Sequence, residues 1–192
     1  MKDYIRIRDK VKSMIKESRF IHSLGVAETA RMLAVRFSLD EEKALICGIY
    51  HDSYRYSTDE NTVSLLLANG YKIEKEEEDD VMLLHGALAS LYFERDTLLD
   101  VTQDMKDAVR FHTLGSPSMG KLGGIIYISD YIEPGRKHLE DSDRIRILEK
   151  ETIEEMVLSI IEMQRPYFVK EGIKEAKISS ELYSFIKDGG KL

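Results

Sequence analysis

The strongest structural signal in the chain is an apolar run that ends in two polar residues. It reads Ala44-Leu45-Ile46-Cys47-Gly48-Ile49-Tyr50-His51-Asp52. Asp40 is a predicted helix N-cap just before this run, and Glu41 and Glu42 suit the first turn of a helix. Because the helix would be apolar on nearly all sides, we expect it to be central in the fold and to end at His51 and Asp52.

Helical spacing continues on both sides of this run. Apolar residues recur at intervals of three and four, no alternation of period two persists, and only three prolines are present, so the pattern predicts an all-α fold. We predict helices over about 3–17, 20–37, 40–52, 58–70, 76–99, 103–113, 118–133, 143–171 and 180–188. Ser57 or Thr58 is expected to cap the fourth of these helices, and Ser179 or Ser180 the last.

Length and charge limit the classes of function. The chain has 192 residues, which suits a single domain over 1–192 with its own core. A net charge of -7 argues against a duplex nucleic acid partner, although local cationic side chains can still bind small phosphorylated ligands. No apolar run approaches the roughly 20 residues of a membrane helix, and the N-terminus lacks the hydrophobic stretch of a secretory signal.

The single cysteine, Cys47, lies inside the apolar run. One buried cysteine cannot form an internal disulfide, which indicates a reducing compartment, and we predict a cytoplasmic location. A catalytic thiol is disfavoured because burial among apolar residues raises the pKa of a thiol. The sequence leaves the oligomeric state open, with a homodimer as one alternative.

Four of the five histidines share one setting. Each lies on a predicted helix with apolar residues at helical offsets, and each is expected to point inward: His22, His51, His85 and His112. A single buried imidazole is commonly satisfied by a backbone carbonyl, but four in one small chain favour a common explanation, which is a shared metal site. The fifth, His138, lies in a charged and polar stretch and is predicted to be exposed.

Two aspartates join this set. Asp52 follows His51 directly, and Asp130 lies inside the apolar run Ile125-Ile126-Tyr127-Ile128-Ser129-Asp130-Tyr131-Ile132. A carboxylate there is costly to bury unless it is paired or metal-bound, and a salt bridge to a nearby Arg or Lys is the alternative for Asp130. Six nitrogen and oxygen ligands without a thiolate suit Fe, Mn, Co or Zn better than Ca or Mg.

Five segments, in this order, resemble the motifs of the HD-domain metal-dependent phosphohydrolase superfamily, which is named for paired His-Asp ligands. They are Arg19-Phe20-Ile21-His22-Ser23-Leu24-Gly25-Val26, Gly48-Ile49-Tyr50-His51-Asp52, Leu84-His85-Gly86-Ala87, His112-Thr113-Leu114-Gly115 and Ile128-Ser129-Asp130-Tyr131-Ile132-Glu133-Pro134-Gly135-Arg136. The match is closer to one bacterial branch, the YqeK-like symmetrical bis(5'-nucleosyl)-tetraphosphatases, which hydrolyse diadenosine tetraphosphate. These motifs occupy a core of about 19–136 and leave the C-terminal helices, at about 143–188, outside it.

The chain departs from the family pattern at two places. Arg55 lies where the family often has a lysine, three residues after the aspartate of the HD pair, and Ser129 precedes Asp130 where an alanine is usual. Neither change removes a ligand. Arginine in place of lysine keeps the charge but replaces a point charge with a planar fork, which alters how a phosphate would be held.

The resemblance implies an HD-domain helical bundle around a buried site for two metals, often containing iron. One metal would be held by His22, His51, Asp52 and Asp130, and the second by His85 and His112, with Asp52 shared. The residue pattern alone reaches the same six residues but does not divide them between two metals. Two metals roughly 3.5–4 Å apart can activate water near neutral pH and neutralise charge on a phosphate.

Side chains near these motifs are candidate substrate contacts. We predict phosphate contacts from Arg55, Arg136 and Lys121, and from the Thr113 hydroxyl and the Gly115 backbone N–H. Asp52, Arg136, Thr113 and Arg55 are the predicted catalytic residues.

These contacts do not have equal support. Arg136 is favoured because it follows the tight Pro134-Gly135 turn near Asp130. For the other cations, simple exposure to solvent is the alternative. Arg19 is interpreted as a residue that caps a helix end.

Three functions fit this sequence. The leading hypothesis is hydrolysis of diadenosine tetraphosphate, or a near relative, to two nucleoside diphosphates. The second is an HD-domain enzyme that acts on a nucleoside monophosphate, a deoxynucleoside triphosphate or a guanosine alarmone. The third is a non-catalytic module that binds metal and nucleotide. Product analysis after turnover separates the first two, and binding without turnover indicates the third.

Overall fold

The computed structural model describes residues 1–97, 99–137 and 139–192, which form helices and no strand, so the predicted all-α class is confirmed. The helices are α1 (Lys2–Met14), α2 (Glu17–Arg36), α3 (Glu41–Tyr50), α4 (Thr62–Ala68), α5 (Lys75–Asp79), α6 (His85–Glu94), α7 (Gln103–Arg110), α8 (Gly120–Ile132), α9 (Asp141–Leu148), α10 (Ile153–Glu171) and α11 (Lys177–Lys187), with a 3₁₀ helix at Val81–Leu84. The prediction for His138 lies outside the described residues. Within the described ranges, no helix has both the length and the apolar character needed to cross a bilayer.

The apolar run forms α3, which lies at the centre of the bundle. Its residues from Ala44 to Tyr50 are all buried, and the Asp40 side chain accepts a hydrogen bond from the Lys43 N–H at 3.0 Å, as predicted for an N-cap. The helix packs against α1, α2, α7 and α8. Gly48 permits the close approach of α2, because a Cβ there would lie 2.6 Å from the Cα of Ala27.

The predicted helix over 76–99 is divided in the structure. Asp80 ends α5 with an extended backbone (φ -133°, ψ 94°), and its side chain accepts a hydrogen bond from the Met82 N–H at 3.0 Å. This bond offers the backbone an alternative to a continuous helix. The break has a functional consequence, because His85 becomes the first residue of α6.

The predicted helix over 143–171 is also divided. α9 ends at Leu148, and α10 begins after Thr152, which forms a capping box with Glu155. The Thr152 hydroxyl accepts from the Glu155 N–H at 3.2 Å, and the Glu155 carboxylate accepts from the Thr152 N–H at 3.1 Å. These reciprocal bonds satisfy two backbone donors and make a new helix start favourable.

Two predicted caps are wrong. Asn61 rather than Ser57 or Thr58 precedes α4, since the Thr62 hydroxyl accepts from the Asp59 N–H at 2.8 Å and the turn that they form delays the helix. Ala176 precedes α11, so Ser179 lies inside the first turn of that helix. The Ser179 hydroxyl donates instead to the Leu114 carbonyl at 2.6 Å, which ties α11 to the segment after His112.

Candidate metal and active site

The structure brings all six predicted metal ligands to one place. α2 packs against α3 and α8, and α7 packs against α6 and α8. The ligands are contributed by five of the helices or by the residues that follow them: His22 on α2, His51 and Asp52 after α3, His85 on α6, His112 after α7 and Asp130 on α8. Helix ends therefore meet at the centre of the bundle, where the side chains converge.

Three of the four histidines are oriented by their own backbone. The Nδ1 atom faces the carbonyl oxygen three residues earlier, at 2.7 Å for His51, 2.6 Å for His85 and 2.8 Å for His112. A carbonyl oxygen only accepts, so each Nδ1 carries the hydrogen, and in the neutral ring each Nε2 carries a lone pair. Those lone pairs are the ligands that a metal ion requires.

His22 is oriented by a side chain instead. Its Nδ1 lies 3.0 Å from Oε1 of Glu133, a buried residue just after α8. The other oxygen of Glu133 accepts from the Gly135 N–H at 2.6 Å. A carboxylate on Nδ1 fixes the tautomer and makes Nε2 a better ligand. Sequence reasoning missed this role: Glu133 lies within the fifth motif, but nothing in the local pattern says that it reaches α2.

Asp52 lies between two pairs of imidazoles. Its Oδ2 atom is 3.4 Å from Nε2 of His51 and 3.7 Å from Nε2 of His22. Its Oδ1 atom is 3.1 Å from Nε2 of His85 and 3.7 Å from Nε2 of His112. Each carboxylate oxygen therefore faces one pair of nitrogens, which is the arrangement of a bridging group.

Asp130 adds a second carboxylate to the first pair. Its Oδ1 atom is 2.9 Å from Nε2 of His22 and 3.7 Å from Nε2 of His51. Ligand atoms of these three residues lie within 4.8 Å of one another, and so do those of His51, Asp52 and His112. The two groups share His51, so they form one continuous cluster.

The pair on the other side of Asp52 gives the clearest sign of metal chemistry. The Nε2 atoms of His85 and His112 lie 3.0 Å apart, although both Nδ1 atoms already donate to carbonyls. Two lone pairs cannot hydrogen-bond to each other, but both can bind one cation. Within the described part of the chain, Nε2 of His22, Nε2 of His51 and Oδ1 of Asp52 are buried without a hydrogen bond, whereas Nε2 of His85 and of His112 lies near the Thr113 hydroxyl. This donor set fits divalent transition metals.

The pKa shifts of these side chains agree with a metal-binding site. Burial raises the pKa of Asp52, but the imidazoles around this carboxyl outweigh the effect and hold the pKa well below its ordinary value. Burial likewise opposes ionisation of Asp130, but the neighbouring His22, His51 and Arg136 outweigh it and lower the pKa of this carboxyl. Burial lowers the pKa of His85. Ionised carboxylates and a neutral imidazole are the forms that bind metal.

Three arginines surround the cluster. Arg19 Nη1 donates to Asp52 Oδ2 at 2.8 Å, and Arg55 Nη1 lies 3.5 Å from Asp52 Oδ1. Arg136 contacts Asp130 twice, through Nη2 to the carboxylate and through Nε to the carbonyl oxygen at 2.7 Å. The interpretation of Arg19 as a helix cap is therefore wrong, because its guanidinium reaches a predicted metal ligand on a different element.

Thr113 contacts the cluster, whereas the Gly115 N–H is bonded within the protein. The Thr113 hydroxyl is 3.0 Å from Nε2 of His112. Gly115 is buried at φ +71°, and its N–H donates to the Phe111 carbonyl at 2.8 Å. A Cβ at Gly115 would lie 2.5 Å from Leu182, so the glycine serves the turn and the packing of α11. The predicted phosphate contact from its N–H is thus replaced by a hydrogen bond within the protein.

Lys121 lies at the opposite end of α8 from Asp130. It is exposed in the first turn of α8, whereas Asp130 lies near the end of the same helix. Nine residues of helix separate the two by about 13–14 Å along the axis. The structure therefore assembles Arg55, Arg136 and Thr113 around the cluster without Lys121.

Comparison with known proteins agrees with the geometry. Residues 19–181 match the model of the HD domain. The chain is 36% identical to a protein of Halalkalibacterium halodurans over 66% of this chain and 67% of that protein, and 30% identical to a protein of Bacillus subtilis over 83% and 84%. Both are named symmetrical bis(5'-nucleosyl)-tetraphosphatase.

A solved structure from Clostridium acetobutylicum is also similar. It is described as a predicted HD superfamily hydrolase involved in NAD metabolism, and it matches with a TM-score of 0.86 and 31% identity over 97% of each chain. The similarity therefore covers nearly the whole chain, including the helices after the last motif. The chain belongs to the HD domain family, and within it to the group that includes these bacterial relatives.

Proposed function

We propose that this protein is a metal-dependent hydrolase that cleaves diadenosine tetraphosphate, and similar dinucleoside polyphosphates, symmetrically into two nucleoside diphosphates. The observation that carries the proposal is Asp52, whose two carboxylate oxygens face two separate pairs of imidazole nitrogens. Such a cluster suits phosphoryl transfer to water. The names of the two bacterial relatives support the choice of substrate and the symmetry of cleavage.

The proposal includes two divalent metal ions. In it, one ion is held by His22, His51, Asp130 and Asp52, and the other by His85, His112 and Asp52. Imidazole and carboxylate ligands suit iron, our preferred ion, and also manganese, cobalt or zinc. When bound, such a pair of ions supplies an activated water and neutralises charge on phosphate oxygens.

Protein side chains position the polyphosphate in this proposal. The side chains of Arg55 and Arg136 are 32% and 27% exposed, so their guanidinium groups can reach both the cluster and a ligand. A guanidinium can bind two phosphate oxygens at once and stabilise the charge that develops on a departing nucleoside diphosphate. The Thr113 hydroxyl can donate one further hydrogen bond at the His85–His112 side.

The proposal also covers location and assembly. Cys47 is a buried free thiol, which supports a reducing compartment such as the cytoplasm. A homodimer stays a prediction, and the site described above draws its ligands from one chain.

The test is a product analysis. Diadenosine tetraphosphate is incubated with metal-loaded protein in heavy-oxygen water. The products are separated by chromatography, and mass spectrometry measures the heavy oxygen in each. We expect ADP alone, with the label in one of the two ADP molecules formed per event. Equal amounts of ATP and AMP contradict symmetric cleavage. If metal-loaded protein does not cleave diadenosine tetraphosphate, the protein instead acts on another phosphorylated substrate or binds nucleotides without turnover.

A further inference from the structure

We propose that two adjoining clefts beside α8 bind one nucleoside end of the substrate, with the base held in the outer cleft. This inference rests on the proposed function, because it assigns the part of a dinucleoside polyphosphate that the metal cluster cannot recognise. The occupant is a nucleobase with its ribose. Four observations carry the assignment: the link to the cluster, the junction of the clefts, the chemistry of the walls and the charge of the outer cleft.

The inner cleft adjoins the metal cluster at Thr113. It has a volume of about 270 Å³, and Thr113, Tyr127, Gln164 and Phe168 are among its lining residues. The Thr113 hydroxyl lies 3.0 Å from Nε2 of His112, so one residue borders both this cleft and the cluster. A phosphate bound at the cluster would thus direct the rest of a nucleotide into it.

The outer cleft adjoins the inner one at two shared residues. Its volume is about 570 Å³, and it shares Gln164 and Phe168 with the inner cleft. Its wall on α8 is Tyr131, the residue after Asp130, while Tyr127 of the inner cleft lies three residues before Asp130. Both tyrosines are within about 5 Å of Asp130 along the helix axis. The aromatic wall of the outer cleft therefore lies beside the end of α8 that carries Asp130.

The walls of the outer cleft have the chemistry of a base-binding site. Tyr131, Tyr167 and Phe168 supply aromatic rings, and Tyr167 is 56% exposed. Aromatic rings stack on the flat faces of nucleobases. The Gln164 Oε1 atom accepts from the Tyr127 hydroxyl at 3.3 Å, which leaves the amide N–H groups to donate to a ring nitrogen. Apolar walls with a few placed polar groups are typical of small-molecule sites.

Charge assigns the base, and not a phosphate, to the outer cleft. Among the described residues, the charged one that lines this cleft is Asp143, a carboxylate already paired with Arg146 at 2.9 Å. An acidic group repels phosphate but can accept a hydrogen bond from an exocyclic amine of a base. Phosphates are favoured at the other end, where Arg55 and Arg136 lie near the cluster.

The test compares ADP with pyrophosphate as ligands of the protein loaded with Mn²⁺, by calorimetric titration. We expect ADP to bind wild type at least about tenfold more tightly, since stacking on a base adds to the phosphate contacts. Phe168→Leu keeps an apolar side chain but removes the ring, and Tyr167→Ala removes an exposed ring. Each variant should weaken ADP binding at least about fivefold and leave pyrophosphate binding unchanged.

The control is Val169→Ala, which alters an 81% exposed residue of the same helix and should change neither affinity. Equal affinity of wild type for ADP and pyrophosphate would overturn the base-binding assignment, and so would an unchanged ratio in both Phe168→Leu and Tyr167→Ala. These titrations need no turnover. A protein that prefers ADP but does not cleave diadenosine tetraphosphate refutes the proposed function alone, whereas cleavage without this preference refutes the clefts alone.

Discussion

The two sides of the His/Asp cluster differ in how one histidine is oriented, since His51 shares the local backbone bond of His85 and His112 but His22 does not. His85 and His112 are buried, and each is oriented by a backbone carbonyl three residues earlier. His22 is oriented by Glu133, which is 111 residues away along the chain, and the side chain of its neighbour Asp130 is 21% exposed. A single helix turn is therefore enough to orient His85 and His112. The orientation of His22 by Glu133, in contrast, requires that α2 packs against the end of α8.

The largest effect should come from removing the group that both sides share. Asp52→Ala deletes both carboxylate oxygens, so we expect loss of both ions and a fall in turnover of at least about a thousandfold, beyond the 10- to 100-fold typical of outer contacts. Elemental analysis and the product assay measure the two losses. Asp9→Ala, at an exposed position, is the control. Retention of both ions in Asp52→Ala would contradict a bridging role.

Removing a histidine from one side of the cluster should release the metal ion on that side and leave the other ion bound. His112→Ala should empty the ion between His85 and Asp52 and leave the other ion bound, whereas His22→Ala should do the reverse. Because each side keeps its own remaining ligands, we expect about one ion per chain in each variant, with turnover reduced on the order of a hundredfold or more. Metal titration followed by elemental analysis gives the stoichiometry. Equal loss of both ions in the two variants would mean that the cluster does not divide.

Arg136 contacts only the partly exposed side of the cluster, through Asp130. Arg136→Ala should keep both ions, because no predicted ligand is removed. It should lower kcat/KM for diadenosine tetraphosphate about 10- to 150-fold, the cost of roughly 1.5–3 kcal/mol for one lost charge-assisted contact. Steady-state kinetics with a parallel metal analysis checks both parts. Arg6→Ala, at an exposed site on α1, should match wild type, and an unchanged rate in Arg136→Ala would reduce this residue to a surface charge.

The smallest effect should come from the side chain that orients His22. Glu133 accepts from Nδ1–H of His22 and from the Gly135 N–H, so in Glu133→Gln the amide nitrogen must face one of these donors. We expect the affinity of the His22 side for Mn²⁺ to fall about 10- to 100-fold, with the His85–His112 side unchanged. Titration with Mn²⁺ resolves the two sites. The control is Glu149→Gln at an exposed position, and identical isotherms for wild type and Glu133→Gln would refute the orienting role.

Much of the cluster was predictable because helical periodicity is a local property. The apolar run before His51, the Asp40 cap and the all-α class follow from neighbouring residues, and the structure has each of them. The inward direction of His85 and His112 also follows from spacing. The Nδ1 bonds that orient these two rings are equally local, since each spans three residues.

Other features depend on contacts between distant parts of the chain. Glu133 reaches α2, and Arg19 reaches Asp52, because α2, α3 and α8 pack together. Gly115 proved to be a packing residue because α11 lies against it. Such contacts leave no periodic trace in the sequence.

The amino-acid sequence alone therefore specified which side chains face the interior, and with them the six candidate ligands. The distances between those ligands, the split of Asp52 between two imidazole pairs and the clefts beside α8 arise only when the helices pack. The difference arises from the sequence separation over which each kind of interaction acts. Hydrophobic periodicity and capping act over three or four residues, whereas a metal site is assembled from helices far apart in the chain, whose relative positions are set by close packing of the core.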